Sequence, residues 1–256
     1  MTIRMTANGR GRNSGNTGAI CLPVVCSLTG ERYPAEQIGS LPRPEGCFFV
    51  VDAAQAVGQV PVSVTALNCD ILAATTRKWL RGPRDTALLH VSDRAIAAMR
   101  PNPAPRLFGI VSRGEEFEDK PGVARFDPSG MFAPQRLGLG VALDAFLADP
   151  DAAMAGPSKL AAQLRSGLLE QGHRLACPEA ARPTAITTLR GVPDRIARLA
   201  EDLKSAGFAF ARPSPDCEPL RRLSPGAEAF LRLSPHTYNT PDQIGQVLEI
   251  TARHRP

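Results

Sequence analysis

Three polar residues stand where buried apolar runs end. Asp52 and Gln55 follow Cys47-Phe48-Phe49-Val50-Val51, and Lys78 follows Asp70-Ile71-Leu72-Ala73-Ala74. Short, continuously apolar runs are the pattern of strands buried on both faces of a parallel sheet. Polar groups at the carboxyl ends of such strands face the crevice where open α/β sheets bind ligands. Asp52 precedes Lys78 by 26 residues and Gln55 precedes it by 23. A lysine amine is a nucleophile that can form an imine with an aldehyde. Taken singly, the same residues have plainer readings: Lys78 as a solvated surface lysine, Asp52 as the cap of a helix beginning near Ala53.

The elements that must position these residues can be read around them. Thr86 to Val91 is a third apolar run, and its short connection to the second admits an antiparallel pair within an α/β sheet. The apolar stretch 19–25 predicts a further strand. Residues 28–46 carry Pro34, Pro42 and Pro44 with Gly30, Gly39 and Gly46, which argues against a long regular element there. Residues 100–130 are Pro/Gly-rich and read as loop. Helical spacing is present over 134–148, and 158–171 is amphipathic, with Leu160, Leu164 and Leu168 on one face. Beyond 173 the pattern runs strand (184–189), helix (193–206), short strand (208–211), loop, strand (229–234) and helix (241–252). Thr240, Pro241 and Asp242 make a well-signalled start for that last helix. The expected organisation is a loose leader over 1–18, a large domain over 19–150 and a small α+β domain over 151–256.

Composition narrows the function classes. The 256 residues are 43% hydrophobic and 21% charged, which is ordinary for a globular chain. The net charge of +5 comes from scattered arginines, and aromatics are only 5%, so no stacking platform for nucleic-acid bases stands out. The basic balance fits a mild attraction for anionic small molecules. The six cysteines form no C-x-x-C pair and match no zinc spacing. With no apolar run of membrane-spanning length and no signal-like start, the expected setting is a reducing cytoplasm with free thiols.

The segments VVDAAQAVGQVPV and CDILAATTRKWLRGPR closely resemble the Asp-x-x-Gln and Ser/Thr-x-His/Arg-Lys motifs of the class V aminotransferases, a family that includes cysteine desulfurases, selenocysteine lyases and sulfoxide lyases. The resemblance extends to ARF at 124–126, to QRLGLGVALDAFL and to RLSPHTYNTPDQI, and so covers nearly the whole chain from about residue 16. It implies part of a fold type I large domain, then a small α+β domain, and pyridoxal phosphate held as an aldimine on Lys78. It further implies that the Asp52 carboxylate keeps the pyridine nitrogen protonated, strengthening the ring as an electron sink. Gln55 would donate to the ring's phenolic oxygen, Thr75 and Arg77 would hold the phosphate, and Arg232 would grip a substrate α-carboxylate, a task suited to a planar bidentate donor. Family members are homodimers, so a homodimer acting on an amino acid is implied. Carbon–sulfur cleavage is favoured over transamination.

Several departures accompany the resemblance. The amino-terminal part that supplies a phosphate cradle and a stacking aromatic has no counterpart here, although Asn16 stands where an asparagine near the cofactor occurs. Ser129 is the nearest match to a phosphate-binding threonine lent by the partner subunit. Where relatives read Gly-Pro-Arg-Gly-Thr-Gly, this chain reads Gly82-Pro83-Arg84-Asp85-Thr86-Ala87. The glycines serve a tight turn or a close backbone approach, and aspartate at a position needing positive φ costs about 1 kcal/mol. Cys217 lies near the place of a desulfurase's nucleophilic cysteine, but RPSPDCEPLRR lacks the usual surroundings, and only Arg221 and Arg222 are there to lower its pKa. Arg81 and Arg84 read as a solvated basic face, and His236 and Tyr238 as packing or hydrogen-bonding residues of the small domain. Two rival readings stand beside the enzyme: an inactive fragment that pairs with another chain, and a cofactor-free sulfur acceptor using Cys217.

Overall fold

The computed structural model describes residues 17–99, 110–113, 116–126, 133–177, 182–213 and 228–256. In chain order its elements are β1 (Ala19–Pro23), β2 (Glu31–Arg32), α1 (Ala35–Gly39), β3 (Phe48–Asp52), α2 (Val64–Leu67), β4 (Ile71–Thr75), β5 (Ala87–Val91) and α3 (Asp93–Ala98). Next come β6 (Ile110–Arg113), β7 (Glu116–Asp119), a 3-10 turn (Gly122–Phe126), α4 (Ala133–Leu147), α5 (Pro150–Glu170), β8 (Arg174–Leu175), β9 (Arg182–Pro183), β10 (Thr187–Gly191), α6 (Pro193–Ser205), β11 (Ala229–Leu233) and α7 (Pro241–Ala252). They fall into two compact units, one taking in 34–57 and 61–148 with the strand before Val25, the other 25–33, 58–60 and 149–256.

The first unit is built on a four-stranded sheet of order β1-β3-β4-β5. β1, β3 and β4 run parallel, and β5 returns antiparallel to β4, Thr75 facing Ala87. The three apolar runs are therefore strands, with the antiparallel pair where the short connection allows it. Phe49 and Val51 are fully buried, but Phe48 and Val50 are only half-buried. One face of the sheet is thus less covered than an unbroken apolar run predicts, because the run records the side chains and not what packs on them. At the amino ends of β3 and β4, Asp70 accepts the Phe49 N–H (2.8 Å) and two donors of Arg94 (Nε 3.0 Å, Nη2 2.6 Å). Burial alone would raise the Asp70 carboxyl, but the Arg94 hydrogen bonds and charge, with the Phe49 N–H, outweigh it and hold it below the ordinary aspartate value.

The second unit packs α5 and α6 on the antiparallel sheet β11-β10-β8, with α7 against both helices. Leu160, Leu164 and Leu168 of α5 join Leu189, Ile196, Leu203, Leu231 and Val247 in its core, which is the face their spacing predicted. Thr240 caps α7 as expected, and Gln243 completes a reciprocal capping box. Residues 26–32 are fastened to this unit through their carbonyls: Thr184 Oγ1 donates to Gly30 (2.8 Å), Thr188 Oγ1 to Leu28 (2.5 Å) and Arg232 Nη1 to Ser27 (2.6 Å). Gly30 has φ +75°, and a Cβ there would lie 2.3 Å from the Ile186 carbonyl oxygen, so only glycine fits.

Four expectations need correction. Residues 100–130 include the β6–β7 hairpin and the 3-10 turn, elements too short for periodicity to reveal. The strand expected at 184–189 begins at Thr187, because residues 184–186 serve the carbonyls and packing of the 26–32 segment. No strand forms over 208–211; only Ala211 bridges to Arg232. The amphipathic helix starts earlier, at Pro150, where Asp149 accepts the Ala152 N–H (3.0 Å), and it runs through Pro157.

Candidate active site

The parallel register of β3 and β4 sets Asp52 opposite Ala73, so both strands deliver their carboxyl ends to one edge of the sheet. Ala53 N–H donates to the Ala73 carbonyl (2.8 Å), carrying the pairing one step past Asp52. Asp52 itself is exposed, and its Oδ1 accepts the Ala54 N–H at 2.8 Å. That contact is the capping expected of an aspartate here, but the chain then makes only turns, and no helix begins at Ala53. Gln55, half-buried in this turn, accepts the Trp79 indole N–H on Oε1 at 3.1 Å. The Asp52/Gln55 turn is thereby tied to the turn that carries Lys78.

That second turn begins at the end of β4. Thr75 is half-buried, Arg77 exposed and Lys78 half-buried, while Thr76, Trp79 and Leu80 are buried. Burying the residues on either side of Arg77-Lys78 pins the backbone and leaves the two cations at the site. The turn closes through Arg81 N–H to the Lys78 carbonyl (3.0 Å) and Gly82 N–H to the Thr76 carbonyl (2.9 Å). The Thr76 N–H and Oγ1 both donate to the Thr86 carbonyl, at 3.2 and 3.0 Å, and the Thr76 and Thr86 hydroxyls contact each other. A Cβ on Gly82 would come within 2.8 Å of Thr76 Oγ1 and 2.9 Å of its Cβ, so this glycine serves the close approach its motif suggested. Asp85 has φ 62°, the left-handed conformation foreseen as costly for an aspartate in place of glycine, and Arg81 has φ 59°. Arg81 and Arg84 are exposed.

Five of the six singled-out residues, Asp52, Gln55, Thr75, Arg77 and Lys78, thus converge on one edge of the first unit. Arg232 belongs to the second unit, next to the last residue of β11, paired with Thr188 and with its Nη1 engaged by the Ser27 carbonyl. His236 is buried and stacks on Tyr238 (centroids 4.7 Å apart, planes 6° apart), which is itself 71% exposed. Asn16, Ser129, Cys217, Arg221 and Arg222 lie outside the described residues. Cys21, Cys26, Cys47, Cys69 and Cys177 are free thiols, and burial pushes Cys69 and Cys177 up. Sequence reasoning missed Trp79 and Thr76. Trp79 had one available signal, as the chain's single tryptophan directly after the lysine; Thr76 had none beyond its place in the motif.

The donor set fits pyridoxal phosphate. A carboxylate suits the pyridinium nitrogen, an amide N–H the phenolic oxygen, a hydroxyl and a guanidinium the phosphate, and an amine the aldehyde. Among the described residues no group of His, Cys, Asp and Glu side chains could hold a metal ion, and no helix is long and apolar enough to cross a membrane.

A family model described as aminotransferase class-V matches residues 13–247. A mitochondrial cysteine desulfurase of Drosophila melanogaster is 35% identical over 53% of this chain and 26% of its own length. A probable hercynylcysteine sulfoxide lyase of Mycobacterium tuberculosis is 29% identical over 89% of this chain and 55% of its own length. The apo cysteine desulfurase of Thermococcus onnurineus superposes with a TM-score of 0.78 at 20% identity, covering 93% of this chain and 60% of that one. The chain therefore spans between about a quarter and three-fifths of the length of these proteins, and it shares the fold of the last.

Proposed function

The chain belongs to the aminotransferase class-V family, and from that premise we propose that it binds pyridoxal phosphate on Lys78 and cleaves a carbon–sulfur bond of an amino-acid substrate. One observation carries the proposal: Asp52, Gln55, Thr75, Arg77 and Lys78 meet at the carboxyl ends of β3 and β4, tied together by the Gln55–Trp79 hydrogen bond. The cofactor supplies an electron sink for charge that develops at the substrate α-carbon. In this reading Lys78 binds the cofactor aldehyde and moves the proton at that carbon, and Asp52 holds the proton on the ring nitrogen. Gln55 donates to the ring oxygen, Thr75 and Arg77 orient the phosphate, and Arg232 orients the substrate carboxylate. The choice of lyase over transaminase is supported by the desulfurase and sulfoxide lyase among its relatives. The expected setting is the cytoplasm.

The test is to reconstitute the chain with pyridoxal phosphate and compare it with Lys78→Ala. The reading expects a visible absorbance band that the mutant lacks, and pyruvate and ammonia formed from cysteine together with sulfide, or from an S-substituted cysteine sulfoxide together with a sulfenic acid. A colourless wild type would overturn it. A second reading, in which the chain works only against another polypeptide or a second copy, is favoured by one observation. Leu137, Val141 and Leu147 of α4 are 73%, 71% and 65% exposed, large apolar side chains on one helix of the kind found at an interface. Light scattering of the purified chain tests that reading, which a dispersed monomer binding cofactor would refute.

A further inference from the structure

Lys78 directly precedes the chain's single tryptophan. Trp79 is 6% exposed, and its indole Nε1 reaches Oε1 of Gln55 at 3.1 Å. An indole N–H only donates, whereas the two ends of a glutamine amide differ: one accepts and the other donates. The end of Gln55 that faces Trp79 must therefore be the carbonyl oxygen, and the NH2 is the end turned from it. A side-chain amide without such a partner can turn over, and its carbonyl would then meet a ring oxygen that is itself negatively charged. The hydrogen bond spans the two turns at the carboxyl ends of β3 and β4, so it also fixes one turn against the other.

We propose that Trp79 is a positioning residue for the cofactor ring. By holding the Gln55 carbonyl, it commits the amide NH2 to the phenolic oxygen of pyridoxal phosphate, so that the residue beside the anchoring lysine also sets the hydrogen bond on the ring. The inference rests on the cofactor reading above. It differs from simple core packing in one respect: it makes recognition of a single ligand atom depend on an indole N–H.

The experiment compares pyridoxal phosphate with 3-deoxypyridoxal phosphate, which lacks only the ring hydroxyl. Equilibrium affinities are taken by absorbance titration for wild type, Trp79→Phe, Gln55→Leu and the double variant. Wild type is expected to prefer pyridoxal phosphate by about tenfold or more, the factor supplied by one hydrogen bond to a charged oxygen. Trp79→Phe and Gln55→Leu should each lose most of that preference, and the double variant should lose no more than Gln55→Leu alone. A Trp79→Phe protein that keeps the wild-type preference overturns the positioning role and leaves the cofactor reading standing. A wild type that binds neither compound overturns both. Because Phe at a buried indole site can compromise folding, a second measurement uses wild type alone. The indole N–H resonance of the single tryptophan should move on adding pyridoxal phosphate and move distinctly less with the deoxy compound; equal movement with both overturns the proposal.

Discussion

Replacing Gly82 with alanine tests whether the Lys78 turn is held by close packing. The backbone of Gly82 does not lie in the left-handed region, so alanine is sterically allowed by φ. Stiffening the unfolded chain would then favour alanine by about 0.4–1 kcal/mol. Against this, the new methyl would lie 2.8 Å from Thr76 Oγ1, 2.9 Å from its Cβ and 3.2 Å from its carbonyl oxygen. Thr76 is fully buried and its hydroxyl is engaged by Thr86, so it has no room to swing away. Overpacking of this kind costs about 1–3 kcal/mol. If the turn moves instead, the Gly82 N–H bond to the Thr76 carbonyl is strained, at about 1 kcal/mol. The net expectation is destabilisation by about 1–2 kcal/mol, a fall in Tm of roughly 2–8 °C at this chain length. Thermal melts monitored by the fluorescence of Trp79, which sits in the same turn, provide the assay. Gly140, inside α4 with nothing within 4 Å of an added Cβ, is the control. There alanine should stabilise by about 0.5–1 kcal/mol. If Gly82→Ala also raises Tm, the packing argument for the turn is wrong. If it lowers Tm as expected, affinity for pyridoxal phosphate should fall with it, since Lys78 is carried on the displaced turn.

Asp85→Gly should act in the opposite sense, relieving the left-handed conformation (φ 62°) and raising stability by about 0.5–1 kcal/mol in the same melts. Asp70→Asn should destabilise by about 1–3 kcal/mol, a range kept modest because the Arg94 side chain is 48% exposed. The Asp70 carboxyl is lowered in the folded state, so its contribution is present above the unfolded value of about 4 and lost as pH falls through the folded value. Acid unfolding of Asp70→Asn should therefore be flatter than wild type in that window, and an unchanged profile would remove the carboxylate from the argument. Burial lowers His173, whose Nε2 donates to the Thr251 carbonyl at 3.0 Å. The unfolded chain takes up that proton first, so wild-type stability should decline as pH falls below about 6.5, and His173→Gln should blunt the decline. Arg232→Lys should raise KM for the amino-acid substrate by about tenfold or more while changing kcat less, because a point charge replaces a planar fork; steady-state kinetics with equal loss in both parameters would place Arg232 elsewhere.

What could be read from the sequence were the placements that depend on residue type at fixed spacing. Strand ends after apolar runs gave Asp52, Gln55 and Lys78 a shared edge, and the parallel register of Asp52 with Ala73 is the physical form of that spacing. The α7 cap was legible for the same reason, since Thr240-Pro241-Asp242 acts within one turn. Features that depend on partners distant in the chain left no such trace. Residues 25–33 belong with a sheet that begins some 150 residues later, through carbonyls that carry no sequence signature. The start of β10 shifted by three residues because Thr184 serves Gly30 and not a strand ladder. Trp79 lies between these cases. Its position after Lys78 was visible, but its partner is 24 residues upstream, and only the geometry shows that the two turns share a hydrogen bond. On the proposal that the indole N–H orients the Gln55 amide, the motif is two turns that position each other. A substitution in either turn should then be felt in the other, and the non-additivity of Trp79→Phe with Gln55→Leu measures how strongly.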